Sequence, residues 1–194
     1  MNLRKTLSLI GILLALIGYL YIFEIRGADE KRLTEAKKKR EEWHRTQVFP
    51  FQPQDFKKIK LVKNGKTIIY QRHDRVWWME EPFNIEGSEE AVNDLIYSIL
   101  NLVETDPVAD NPSDLTQFGL HQPPILIAVE LEGTAGGKTL LLGNDNPTSI
   151  CLYATVEGAP RVFLVGSLIR WEVSKEFLHL NNRTGPFFTD KKDA

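Results

Sequence analysis

The residues best suited to chemistry in this chain are a glycine-lysine run, an acidic turn, four histidines, one cysteine and a pair of adjacent tryptophans. Gly136-Gly137-Lys138-Thr139 has the ending of a phosphate-cradling loop, where backbone amides and a lysine ammonium hold a nucleotide. That loop needs its first glycine at position 132, which is Glu132, and must open a helix, whereas the residues after Lys138 alternate as a strand. A hairpin turn is the better reading. Asn144-Asp145-Asn146 has the oxygen-rich start of a calcium loop, but no glutamate closes it at the required distance, so a polar turn is expected. His44, His73, His121 and His179 are scattered, and with Cys151 as the sole thiol a zinc site would need three of them to converge. Cys151 lies between Ile150 and Leu152 with no base beside it, the setting of a small buried side chain. Gly-x-Ser-x-Gly and His-Glu-x-x-His motifs are absent. The expectation is a protein that is not an enzyme, with no catalytic residue, no cofactor and no metal.

The tryptophans stand in the stretch Arg75 to Pro82, RVWWMEEP. Neighbouring residues of a strand point to opposite faces, so Trp77 shares a face with Met79, and Trp78 shares the other with Val76. One ring then enters the core while the other covers the reverse side of the sheet. Trp78 is the candidate surface aromatic for an envelope polymer or lipid; burial inside the fold is its competing use.

These residues must be positioned by elements, and the first element is apolar. Thr6 to Phe23 contains no charge, and its eighteen residues would span roughly 27 Å as a helix, near the hydrocarbon thickness of a bilayer. A single transmembrane anchor over residues 1–25 is therefore expected. A cleaved signal peptide is the competitor, disfavoured because Glu24-Ile25-Arg26-Gly27 offers no small-residue cleavage site and Tyr19 and Tyr21 suit an interface. Gly11, Ala15 and Gly18 would let another helix approach closely; ordinary apolar-helix composition would also account for them. Lysines and arginines flank both ends of the apolar run, so charge does not orient it.

Residues 26–47 are charged and proline-free, a helix or stalk supported by Glu35–Lys39, Lys37–Glu41 and Lys38–Glu42 at four-residue spacing. A basic collar on anionic lipid is the other reading, weakened by the interrupting glutamates. Residues 1–50 hold ten Lys/Arg against six Asp/Glu, a net of +4, leaving −6 for residues 51–194. An acidic body argues against nucleic acid as partner, because phosphate contacts need a basic face.

Residues 48–183 are expected to form an α+β domain with a mostly antiparallel sheet and two helices, followed by a polar tail at 184–194. Alternation marks strands at Phe56 to Val62, Thr67 to Gln71 and Val76 to Met79, with Asn64-Gly65 as a hairpin turn. Ser88 caps a helix whose Val92, Leu95, Ile96, Ile99 and Val103 form one apolar stripe. Residues 109–124 read as a loop with a helical turn at Ser113 to Phe118. Four further strands follow between Ile125 and Val165, then a helix from Ser167 with Ile169, Val173, Phe177 and Leu180 in register. Both halves run strands first and helix last, the pattern of a duplication.

Several short motifs in this order resemble the bacterial domain-of-unknown-function family 4340, over residues 48 to 180. They are Phe49 to Leu61 with Phe-Pro-Phe and an aspartate, Trp77-x-Met79-x-x-Pro82, the helix at Ser88 to Val103, Asp114-Leu115, Phe118-Gly119-Leu120, Pro123, Leu142-Gly143, Tyr153-Ala154 and the strand Val162 to Val165. The chain departs from the family at Ile85-Glu86-Gly87 and at Asn181-Asn182-Arg183. The resemblance implies an N-terminally anchored envelope protein of the bacterial plasma membrane, with its C-terminal body outside the cytoplasm and ABC-type export systems as partners. It supplies no catalytic residue. The expected function is an accessory or scaffolding subunit that contacts other membrane proteins and lipid; the alternative is an envelope ligand-binding module using Trp78.

Overall fold

Alternating burial along the body comes from strands that turn one edge of each residue pair into a shared core. The structure, a computed structural model, describes residues 3–21, 26–133, 137–159 and 161–182. The strands are β1 (Phe56–Lys63), β2 (Lys66–His73), β3 (Val76–Glu81), β4 (Ile85–Glu86), β5 (Asp106–Asp110), β6 (Ile125–Leu131), β7 (Gly137–Asp145), β8 (Cys151–Val156) and β9 (Arg161–Gly166). They form one nine-stranded sheet, ordered β4-β3-β2-β1-β6-β7-β8-β9-β5, and every pairing is antiparallel. Asn64 and Gly65 both take positive φ, 49° and 79°, as a tight turn between right-twisted strands requires.

Two helices, α3 (Glu89–Leu100) and α4 (Leu168–Asn182), cover one face. The start of α3 meets the end of α4 across one cavity, and the end of α3 meets the start of α4 across another, so the two run in opposite directions. Val92, Leu95, Ile96 and Ile99 of α3 join Ile169, Val173 and Phe177 of α4 over the inward residues of the strands, among them Ile59, Leu61, Tyr70, Trp77, Met79, Ile127 and Leu140. The face away from the helices carries half-buried residues instead, including Val62, Ile69, Trp78, Leu126 and Leu141.

Before the body lie α1 (Leu3–Leu20) and α2 (Arg26–Thr46). The chain divides into two compact units, 1–45 and 46–194. On α2, Lys38 and Glu42 approach to 3.9 Å with both side chains exposed, which adds a few tenths of a kcal/mol at most.

Three expectations are corrected. No helix among the described residues is long and apolar enough to cross a membrane, so the single-pass transmembrane anchor over residues 1–25 is not supported. The reason is length: α1 includes Arg4 and Lys5, and its uncharged part, Thr6 to Leu20, rises about 22 Å against about 30 Å of hydrocarbon. Phe23, which closed the expected span, lies outside the described residues, as do Gly136 and the expected tail at 184–194. Second, β5 departs from the expected two-half order: β1 to β4 stand together on one side of the sheet and β6 to β9 on the other, but β5 joins the second group. β1 pairs directly with β6 in the middle of the sheet, and β5 crosses from α3 to the far edge, where it pairs with β9. Third, residues 106–110 form an edge strand at the point where a loop was expected from residue 109, and β4 is an additional short strand.

Candidate functional site

Glu176 stands where the apolar stripe of α4 calls for a hydrophobic residue, one turn beyond Val173 and beside Phe177. It is 5% exposed. Tyr70, on the inward side of β2, is fully buried beneath it and donates its hydroxyl to Glu176 Oε2 at 2.6 Å. That is the one hydrogen bond Glu176 accepts among the described residues. Burial pushes the Glu176 carboxyl above its ordinary value, opposed by the Tyr70 hydrogen bond and by Lys175 and His179. Burial first, and then the Glu176 carboxylate, raise the Tyr70 phenol well above its own ordinary value. Tyr70 therefore keeps its proton and donates it.

Glu176 opens on a cavity of about 340 Å³ between the start of α3 and the end of α4, lined also by Ser88, Glu90, Asp94, Lys175 and His179. Ser88 caps α3, its hydroxyl accepting from the Ala91 N–H at 3.4 Å. Glu90 and Asp94 follow at a four-residue step, and Glu176 and His179 at a three-residue step on α4, so each pair shares one helix face. His179 Nδ1 is buried and has no hydrogen-bond partner in the described structure. Lys175 contributes its stem; its ammonium sits 3.0 Å from Glu172 and 5.3 Å from the Trp171 ring centre.

The residues singled out from sequence lie elsewhere. Gly11 and Ala15 are exposed on α1 and Gly18 is half-buried, and a methyl added at Gly11 or Gly18 would meet nothing within 4 Å. Trp77 is 3% exposed in the core, whereas Trp78 is half-buried on the opposite face, across from Gln71 and Glu86. Lys138 bonds the Val48 carbonyl and lies over the Phe49 ring, holding the Phe-Pro-Phe segment against β7. Asp145 takes both arms of Arg170, at 2.8 and 2.6 Å, and Asn146 Oδ1 accepts from the Cys151 N–H at 3.1 Å. Cys151 is half-buried. His73 pairs with Glu80 at 3.1 Å. Among the described residues no three His, Cys, Asp or Glu side chains gather to hold a metal ion.

Several short motifs scattered along the sequence do converge. Asp114 Oδ1 accepts from the Thr116 N–H at 2.7 Å, which also holds the exposed Asp114 carboxyl below its usual range. The turn it starts, Thr116 to Phe118, ends at Gly119 in a left-handed conformation, φ 69°. Phe118 then reaches the Tyr153 ring, with centroids 5.1 Å apart, and Leu120 is 2% exposed. Gly143 permits this approach: a Cβ there would lie 2.1 Å from the Phe118 carbonyl oxygen. Asp114, Phe118-Gly119-Leu120, Gly143 and Tyr153 thus build a clamp that fastens the loop after β5 onto β7 and β8.

Sequence reasoning missed Tyr70 and Glu176. The signal was available in part, since a glutamate at an inward helical position and a tyrosine at an inward strand position each need a polar partner.

A family model described as Domain of unknown function (DUF4340) matches residues 77–184, from the buried Trp77 through the whole of α4. No curated protein and no solved structure matches the chain.

Proposed function

The chain belongs to the DUF4340 family, and within it we propose that this protein is an accessory or scaffolding subunit of a bacterial envelope complex associated with an ABC-type exporter, not an enzyme. The observation that supports this reading is the surface of α1. Leu7, Leu9, Ile12, Leu13, Leu14, Leu16 and Ile17 are each more than half exposed, and at helical spacing they cover most of the circumference outside the face that holds Gly11, Ala15 and Gly18. An apolar surface of that extent marks a place where another molecule docks. The small residues Gly11, Ala15 and Gly18 leave room for a partner helix to come near the backbone. The partner is another protein of the complex, and the acidic body, with its net of −6 over residues 51–194, stands on the extracytoplasmic side.

Ligand binding through Trp78 is the weaker reading, because a half-buried ring offers little open face for stacking. Crosslinking in cells followed by mass spectrometry of the full chain tests the proposal. Reproducible adducts from α1 to one or two proteins are expected, and Gly11→Leu with Gly18→Leu should reduce them while the body melts at an unchanged temperature. Recovery of the chain with no reproducible neighbour overturns it.

A further inference from the structure

We infer that the cleft between α3 and α4 is a binding site for an organic cation with several N–H donors, a guanidinium or primary ammonium group. This goes beyond the scaffolding role and does not depend on it. The cleft brings together four hydrogen-bond acceptors from two facing helices: the carboxylates of Glu90, Asp94 and Glu176, and the ring nitrogen of His179. Lys175 offsets this charge only in part: its field acts on Glu176, but its ammonium is paired with Glu172 and lies over Trp171, which leaves one cation against three carboxylates.

Two of the four groups are short of partners. A buried carboxylate is stable when several donors surround it, yet Glu176, 5% exposed, receives the Tyr70 hydroxyl and no other donor among the described residues. His179 Nδ1 is buried with no hydrogen-bond partner among the described residues; in the tautomer that carries its proton on Nε2, this atom is an acceptor. A ligand with two or more N–H groups satisfies both at once, which a single-donor alcohol does not. An anion would meet three carboxylates, and a metal ion would lack a cluster of three ligating side chains among the described residues. About 340 Å³ is at the small end of ligand cavities and suits an alkyl amine or an arginine side chain.

Two probes separate the sources of such a group. Agmatine carries a guanidinium and an ammonium on a short free chain; a blocked tripeptide with a central arginine presents the same guanidinium as a partner protein would. Each is titrated into the purified full chain by calorimetry, with pentanoate as a control of similar length and opposite charge. At least one cationic probe should bind saturably and pentanoate should not. Preference for agmatine assigns the site to a small free amine, and preference for the peptide assigns it to an arginine of a partner.

Glu176→Gln keeps an acceptor for Tyr70 but removes the charge, and should weaken binding by about tenfold or more. Glu90→Gln with Asp94→Asn changes two exposed residues of α3 and should weaken binding by about three- to tenfold. If Glu176→Gln does not fold, this second variant decides alone. Absence of saturable binding by both probes up to about 10 mM, or undiminished binding in the exposed double variant, overturns the inference.

Discussion

The Tyr70–Glu176 pair is the clearest case of a side chain whose role depends on the packed fold. Its two residues lie 106 positions apart, and strand alternation and helical periodicity place each one facing inward without saying that they meet. The tryptophan pair was legible in part, because alternation sends the two rings to opposite faces without saying that Trp77 is the buried one, whereas Glu176 was hidden inside a stripe otherwise read as apolar. Tyr70→Phe should destabilise the body by about 1 to 3 kcal/mol, since it strips a buried carboxyl of its donor; urea unfolding measures this. The pH dependence has a definite sign. Glu176 holds its proton more tightly in the fold than in the unfolded chain, so the fold binds more protons from the ordinary glutamate value upward. The stability this group contributes is present at the acid end and is lost as pH rises through that window. Glu176→Gln should flatten that slope, and unfolding midpoints collected across the window for both proteins would show whether it does.

At the scale of elements, hairpin chemistry and apolar periodicity carried most of the information. Asn64-Gly65, the strand that holds Trp77 and the Ser88-capped helix all depend on neighbours in sequence. β5 was hidden because Pro107 and two aspartates disfavour a strand, and such residues are tolerated at a sheet edge. Its placement beside β9 is a long-range choice that no local pattern encodes. Leu95→Ala, in the middle of the α3 stripe and 3% exposed, should cost about 2 to 5 kcal/mol of stability. The clamp on the loop after β5 gives a more local test. Gly143→Ala drives a methyl into the Phe118 carbonyl and should cost about 1 to 3 kcal/mol, with faster amide exchange at residues 115–120 than at α3. Equal protection of that loop in both proteins would show that the clamp does not hold it.

Over the whole molecule, composition separates a basic, helical N-terminal unit from an acidic β-rich body, and the structure places the division at residue 45. Apolarity alone suggested a membrane span, but the uncharged part of α1 is several ångströms too short. What the same residues do provide is an unburied apolar helix, and the account of function rests on that surface finding a protein partner. A photoreactive amino acid in place of Ile12, which is 62% exposed on α1, tests this most directly when irradiated in cells. One discrete, reproducible protein adduct is predicted, with none from the same probe placed at Asp110 on the edge strand. A chain that stays free of protein adducts at Ile12 would contradict the account.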